Sequence, residues 1–268
     1  MLQTRVRTGS ALINIMSTAA VRAARGLIRD FNEVEHLQVS RKGPGDFVSV
    51  ADHQAEKIIY QELQKARPDF GFLMEETGEI SGVDKRHRWI VDPLDGTTNF
   101  LHAIPHFCIS IALEFDNEIL AGVVYDPVKD ELFHAEKGRG AFLNDRRIRV
   151  SSRTHLADAL LATTGITNKV DPTRSAALVS KAMDITRKTA GIRHYGAAAL
   201  DLCYVAAGRF DGFFAYGLAY WDIAAGLVLV REAGGYVDEI SGKGSLFETG
   251  SILASNEKLR ESLRENLS

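Results

Sequence analysis

The sequence predicts a mixed α/β (α+β) fold built in layers, and three observations carry that reading. Helical and strand-like patterns are interspersed along the whole chain, residues 105–150 read as an antiparallel meander, and no flexible linker divides the chain into halves. From Ser10 to Arg29 the apolar residues recur at helical spacing, which predicts a helix over 10–31. A second helix over 50–66 follows Ser49, placed three residues ahead of Asp52 as in a capping box. Apolar runs predict strands at 70–74 and 88–91, then at 107–115 and 119–125, the last two joined by a hairpin turn at Asp116-Asn117. Further strands are expected at 132–136, 159–163, 211–215, 236–238 and 252–254, with helices at 173–188, 197–207, 221–233 and 256–266. None of the six prolines interrupts a strong helical pattern. The chain therefore reads as one domain over 1–268, with an internal seam near 151–154.

Composition excludes several classes. With 268 residues, 45 % hydrophobic and 25 % charged, the chain is an ordinary globular protein with ample length for a core. Its 32 Lys+Arg against 35 Asp+Glu leave a net charge of −3, so no global basic excess exists to bind nucleic acid in bulk. The first 29 residues hold five arginines and no acid, which leaves −8 on residues 30–268. That start has the composition of a mitochondrial presequence, but its helical spacing reads better as a packed amphipathic helix. No apolar stretch reaches the roughly 18–20 residues of a bilayer span. Cys108 and Cys203 lie far apart, each in an apolar run, and predict buried reduced thiols instead of a disulfide or thiolate metal site. The simplest expectation is a cytoplasmic protein without membrane association.

The most informative window is Trp89–Phe100, WIVDPLDGTTNF. An apolar strand delivers Asp92, Pro93 breaks the ladder, and Asp95 follows. Gly96 permits close backbone approach, and Thr97-Thr98 can start a short helix. Two carboxylates at a strand end suit a hard cation, and the N–H groups of the following helix start suit a phosphate. Taken alone, the same window also fits an Asx-type turn with a helix cap. Two further windows stand in order with it: Glu75-Glu76 at the exit of the apolar run 70–74, and Asp222 at the start of an apolar helix, where it could serve only as a cap. The eight histidines are scattered without zinc spacing, and neither a GxxxxGK[ST] loop nor a GxSxG elbow occurs.

In this order and spacing, these residues resemble the inositol monophosphatase family, within the lithium-sensitive, metal-dependent phosphatases. Trp89–Phe100 is similar to the family's first signature and Trp221–Gly235 (WDIAAGLVLVREAGG) to its second. Glu75-Glu76-Thr77 is similar to its acidic element, and Asp46, Ser49 and Asp52 to its early Asp-x-x-Ser/Thr-x-x-Asp element. The resemblance covers residues 10 to 265 and implies an αβαβα sandwich, assembled as a homodimer. It implies that Glu75, Asp92 and the Leu94 carbonyl bind one Mg²⁺ and that Asp92, Asp95 and Asp222 bind a second. The Gly43-Pro44-Gly45 loop would help hold a third ion, with Arg41 and Lys42 beside it to attract an anion. Glu75, Thr97 and Asp52 would form the catalytic group, Thr97 orienting water with support from a hydrogen bond to Asp52. The N–H groups of Gly96 and Thr97 would hold the phosphate, and the Gly196-Ala197-Ala198 turn would lie against the organic part of a small phosphorylated polyol or sugar.

One position departs from the resemblance. Where animal inositol monophosphatases carry an acid that contacts a substrate hydroxyl, seven residues before the helix-opening Asp, this chain has Ala215. A methyl group cannot accept that hydrogen bond, so an altered leaving-group preference is expected. The glycine that commonly precedes the paired glutamates is Met74, a packing change. Related activities remain open: a fructose-1,6-bisphosphatase, a histidinol-phosphate phosphatase or a nucleotide 3′-phosphatase. So does a role as a SuhB-like partner of the transcription machinery, for which Arg22, Arg25, Arg29 and Arg193 would be the contact residues.

Overall fold

In a computed structural model of the chain, residues 9–33, 39–43, 46–164 and 172–267 are described. Five layers stack in the order helices, sheet, helices, sheet, helices. The outer pair of helices is α1 (Ala11–Phe31) and α2 (Val50–Ala66), packed on each other and on one face of the larger sheet. Ser10 caps α1, its Oγ accepting from the Ile13 N–H. The buried residues Ile13, Met16, Ala20, Ala23, Ala24 and Leu27 recur at three- and four-residue intervals, so the apolar stripe faces the sheet. By length and composition α1 is in fact long and apolar enough to cross a membrane, against the sequence expectation. Its apolar stripe, however, is covered within the fold.

The larger sheet holds eight strands in the order β10-β9-β8-β7-β6-β5-β3-β4. They are β3 (Phe70–Met74), β4 (Gly78–Ile80), β5 (Asp84–Asp95), β6 (Cys108–Phe115), β7 (Glu118–Asp126), β8 (Glu131–Glu136), β9 (Gly140–Leu143) and β10 (Arg146–Ile148). Strands β6 to β10 form the antiparallel meander expected over 105–150, β5 joins it antiparallel to β6, and in this sheet only β3 and β5 run parallel. Asp116 and Asn117 both take positive φ between β6 and β7, the backbone a two-residue hairpin requires. A separate hairpin, β1 (Val39–Gly43) with β2 (Asp46–Ser49), precedes α2. The Asp46 and Ser49 side chains, and with them the capping box, lie outside the described residues, as do Pro44-Gly45 and the side chains of Arg41 and Lys42.

The second sheet has the order β12-β11-β13-β15-β14. Its strands are β11 (Leu160–Thr164), β12 (Gly191–Arg193), β13 (Gly212–Ala215), β14 (Tyr236–Glu239) and β15 (Ile252–Ser255). Between the sheets lie α5 (Ala198–Ala206) and α6 (Tyr220–Glu232); α4 (Pro172–Thr186) and α8 (Glu257–Leu267) cover the far face, and α7 (Leu246–Thr249) is a single turn before β15. Helix α6 approaches β7 so closely that a Cβ on Gly122 would stand 2.7 Å from the Ala225 carbonyl oxygen, which is why only glycine fits there. The segment 151–153, which links the sheets, is fastened to the start of α8 by Asn256, whose amide donates to the carbonyls of Ser151 and Arg153.

Candidate active site

Three acidic residues arrive at the site from the ends of β3 and β5. The parallel pairing of Met74 with Val91 continues one step, because the Glu75 N–H donates to the Val91 carbonyl at 3.1 Å. Glu75 and Asp92 therefore leave adjacent strands side by side. Asp92 pairs with Ser110 and Asp95 with Cys108, so β5 spends three steps where β6 spends two. That bulge, at Pro93-Leu94, turns Asp95 back into the sheet's line. Asp222 enters from another layer, in the first turn of α6, where its Oδ2 accepts from the Ala219 N–H at 2.8 Å.

Burial and mutual repulsion dominate the electrostatics. Burial pushes the Asp92 carboxyl well above the usual carboxylate range, and the charges of Glu75, Asp95 and Asp222 push it further, as does a hydrogen bond with Glu75. Burial raises Asp95 to about 7 even though the Ala199 and Ala198 N–H groups favour its ionised form. Among the described residues no three Asp, Glu, His or Cys side chains converge into a preassembled metal cage. The anions lean instead on N–H donors: Asp92 on Leu94 (2.9 Å), Asp95 on Ala199 (2.7 Å) and Asp222 on Ala219. The donor set consists of carboxylates and the Leu94 carbonyl, all oxygens, partly desolvated and repelling one another. That chemistry fits a hard divalent cation such as Mg²⁺.

Gly96, with φ of 92°, precedes the short helix α3 (Thr97–Leu101), and a Cβ there would stand 3.0 Å from the His106 carbonyl oxygen. Thr97 Oγ donates to the Leu94 carbonyl at 2.9 Å. A hydroxyl has one proton, so the expected bond from Thr97 to Asp52 is not made in this arrangement. Asp52 itself is buried in the first turn of α2. Ala197 and Ala198 are buried, and the Ala198 N–H points to Asp95 at 3.3 Å; Gly196 lies against Asn99. Ala215, at the end of β13 in the second sheet, is completely buried against the middle helices and offers neither a polar group nor exposed surface. Met74 is buried, and both cysteines are buried free thiols whose pKa burial pushes up. Of the proposed contact arginines, Arg22 already pairs with Glu62 and Arg29 with Asp30.

Three groups escaped the sequence reading. Asn99 donates through Nδ2 to the carbonyls of His106 (2.8 Å) and Tyr195 (2.7 Å), stitching the α3 start to the Gly196 turn. Glu56, one helical turn after Asp52, accepts from the Glu76 N–H and the Thr77 hydroxyl and so holds the exit of β3. Asp201 is buried near Asp95, and desolvation pushes its carboxyl well up. Only Glu56 left a signal, its four-residue spacing from Asp52 on one helix face. The cavity of 310 Å³ lined by Ser10, Ile13, His134 and Phe142 holds none of these groups.

Comparison with known proteins gives the family. Residues 10–268 match the inositol monophosphatase family. The chain belongs to that family. An inositol-1-monophosphatase of Mesorhizobium japonicum is 54 % identical over 254 residues, covering 95 % of each chain. The Nus factor SuhB of Escherichia coli K12 is 41 % identical over 258 residues, covering 96 % of this chain and 95 % of its own. Among solved structures, the extragenic suppressor protein suhB from Bartonella henselae superposes with a TM-score of 0.93 at 53 % identity, covering 97 % of this chain and 99 % of that one. As an inositol monophosphatase family member, the chain has the mixed α/β architecture of its structural neighbours, and the membership supports a phosphatase.

Proposed function

We propose that this protein is a Mg²⁺-dependent phosphomonoesterase acting on inositol 1-phosphate or a related small polyol or sugar phosphate. The observation that carries the reading is the proximity of Glu75, Asp92 and Asp95 on one sheet to Asp222 on α6, near enough that the charges of the other three all raise the pKa of Asp92, although among the described residues they do not close into a preassembled cage. Phosphate monoesters are very slow to hydrolyse, needing accelerations of up to about 10²¹. When bound, Mg²⁺ would supply the positive charge that offsets the phosphate dianion and activates water. Glu75, Asp92, Asp95, Asp222 and the Leu94 carbonyl would hold two such ions, or three with the loop before Asp46. The chain's own part is positional. The N–H groups of the left-handed Gly96 and of Thr97 would hold the phosphate, at the start of α3, which has no side-chain cap. Thr97 Oγ sits on the Leu94 carbonyl, ready to orient a water on the same side. Ala215, fully buried, presents no acidic acceptor to a substrate, which favours a leaving group recognised elsewhere.

Phosphate release from a panel of esters tests this reading: inositol 1-phosphate, fructose 1,6-bisphosphate, histidinol phosphate and a nucleoside 3′-phosphate, each with Mg²⁺, with and without Li⁺. Mg²⁺-dependent, Li⁺-sensitive release from a polyol or sugar phosphate is expected; no release from any ester would refute it. A second reading, a partner of the transcription machinery, draws support from the relatives named Nus factor SuhB. Recovery of transcription proteins in a pull-down from cell extract, undiminished by Asp92→Asn, is its expected signature.

A further inference from the structure

Glu75, Asp92 and Asp95 ride on neighbouring strands of one sheet, so their spacing is set by the sheet's own hydrogen bonds. Asp222 comes from a different layer, and its distance from the others depends on how the first turn of α6 docks. A partly buried polar link makes that docking directional. The Tyr220 hydroxyl, two residues before Asp222, donates to Glu114 Oε1. Glu114 is only 5 % exposed, and its other oxygen takes the Arg88 guanidinium through Nε at 2.9 Å and through a terminal nitrogen at 2.8 Å. Arg88 and Glu114 are register partners across β5 and β6, as are Asp92 and Ser110 four residues along. Residues 110 and 114 share a strand face, and Ser110 Oγ lies 3.5 Å from the Trp221 carbonyl. The Phe247 ring packs against that of Tyr220, the centroids 4.2 Å apart.

We propose that the Arg88–Glu114–Tyr220 link is a positioning device that sets Asp222 against Asp92, a role that rests on the metal-dependent reading above. An apolar side chain at position 220 would fill the same space but leave the helix start free to slide. A hydroxyl bonded to a charged, buried acceptor fixes it along one direction. The anchored carboxylate, Glu114, sits on the partner strand of the very strand that delivers Asp92, so the link closes a short mechanical loop: α6, β6, β5.

The test measures Mg²⁺ binding calorimetrically on protein without substrate, beside kcat and the Mg²⁺ activation constant. Tyr220→Phe removes only the hydroxyl and should weaken Mg²⁺ binding about tenfold, with kcat at saturating Mg²⁺ close to wild type. Glu114→Ala should match it, while Glu114→Gln, which keeps an acceptor for Tyr220, should restore affinity. If Tyr220→Phe does not fold, the contrast between Glu114→Ala and Glu114→Gln decides. Asp222→Asn separates the two claims. Loss of affinity in Asp222→Asn together with wild-type affinity in Tyr220→Phe overturns the positioning role. Wild-type Mg²⁺ affinity in Asp222→Asn itself overturns the metal assignment on which that role stands.

Discussion

Asp95 Oδ2 lies 2.7 Å from the backbone nitrogen of Ala199, so a side chain at the end of β5 caps a helix that begins about a hundred residues later. Helix α5 has no capping side chain of its own, since its N-cap residue is Ala197. The N-terminal N–H groups stabilise the buried anion, and the anion satisfies donors that would otherwise be orphaned. The same carboxylate belongs to the proposed metal set, so the sheet, the middle helices and the site meet at one group.

Crowded anions make the site costly to fold without cations. Asp92→Asn should raise the thermal midpoint in the presence of chelator, because it removes a buried group whose ionisation Glu75, Asp95 and Asp222 oppose, while its amide oxygen can still accept from the Leu94 N–H. The gain should be on the order of 1 kcal/mol. A lower midpoint than wild type in chelator would show that the repulsion has been overstated.

Gly96→Ala should destabilise the protein by about 1–3 kcal/mol in urea unfolding. The left-handed φ of 92° disfavours alanine, and its methyl would press on the His106 carbonyl and on the Ala197 Cβ at 3.3 Å. Wild-type stability in this variant would contradict the geometry drawn for the phosphate loop.

Asn99→Ala removes the two bonds that join the α3 start to the Gly196 turn. A stability loss of about 1–2 kcal/mol is expected, with a larger increase in KM for the phosphate ester than decrease in kcat. An unchanged KM would separate the turn from substrate binding.

The pH dependence of metal stabilisation follows from raised carboxylates. Asp95, at about 7 in the fold against an ordinary 3.8, binds its proton more tightly folded than unfolded. Stability of the metal-free protein is therefore lost as pH rises from about 4 toward 7 on its account. His106 acts in the opposite sense over the same range. Burial, aided by Lys129, lowers it to about 4, so its contribution is present above about 6.5 and lost as pH falls toward 4. Cations compete only with the carboxylate protons. The rise in thermal midpoint on adding Mg²⁺ should thus be larger at pH 8 than at pH 5.5, and His106→Gln should flatten the acid limb of the metal-free profile. A Mg²⁺ effect independent of pH would count against carboxylate ligation.

Local signals were legible where the chemistry is local. The Asp116-Asn117 turn, the helix start after Gly96 and the apolar stripe of α1 follow from backbone preference and periodicity. Short elements were not: β4, β9, β10 and β12 have three or four residues each and exist because neighbouring strands pair with them. The ladder near Asp95 shows the same limit from the other side. The aspartates could be read as a pair from their spacing, whereas the caps from Ala198 and Ala199 and the bond from Tyr220 to Glu114 join residues about a hundred positions apart. Ala215 could be recognised as a departure, but its complete burial depends on β13 lying in the second sheet between β11 and β15.

The central claim is that Asp92 and its neighbours hold the cations that make this chain a phosphatase. The most direct test is Mg²⁺-dependent phosphate release from inositol 1-phosphate by wild type and Asp92→Asn, each freed of metal by chelation and then titrated with Mg²⁺. The account predicts activity restored by Mg²⁺ in wild type and reduced by about 10³-fold or more in the variant. Near wild-type turnover in Asp92→Asn would contradict it.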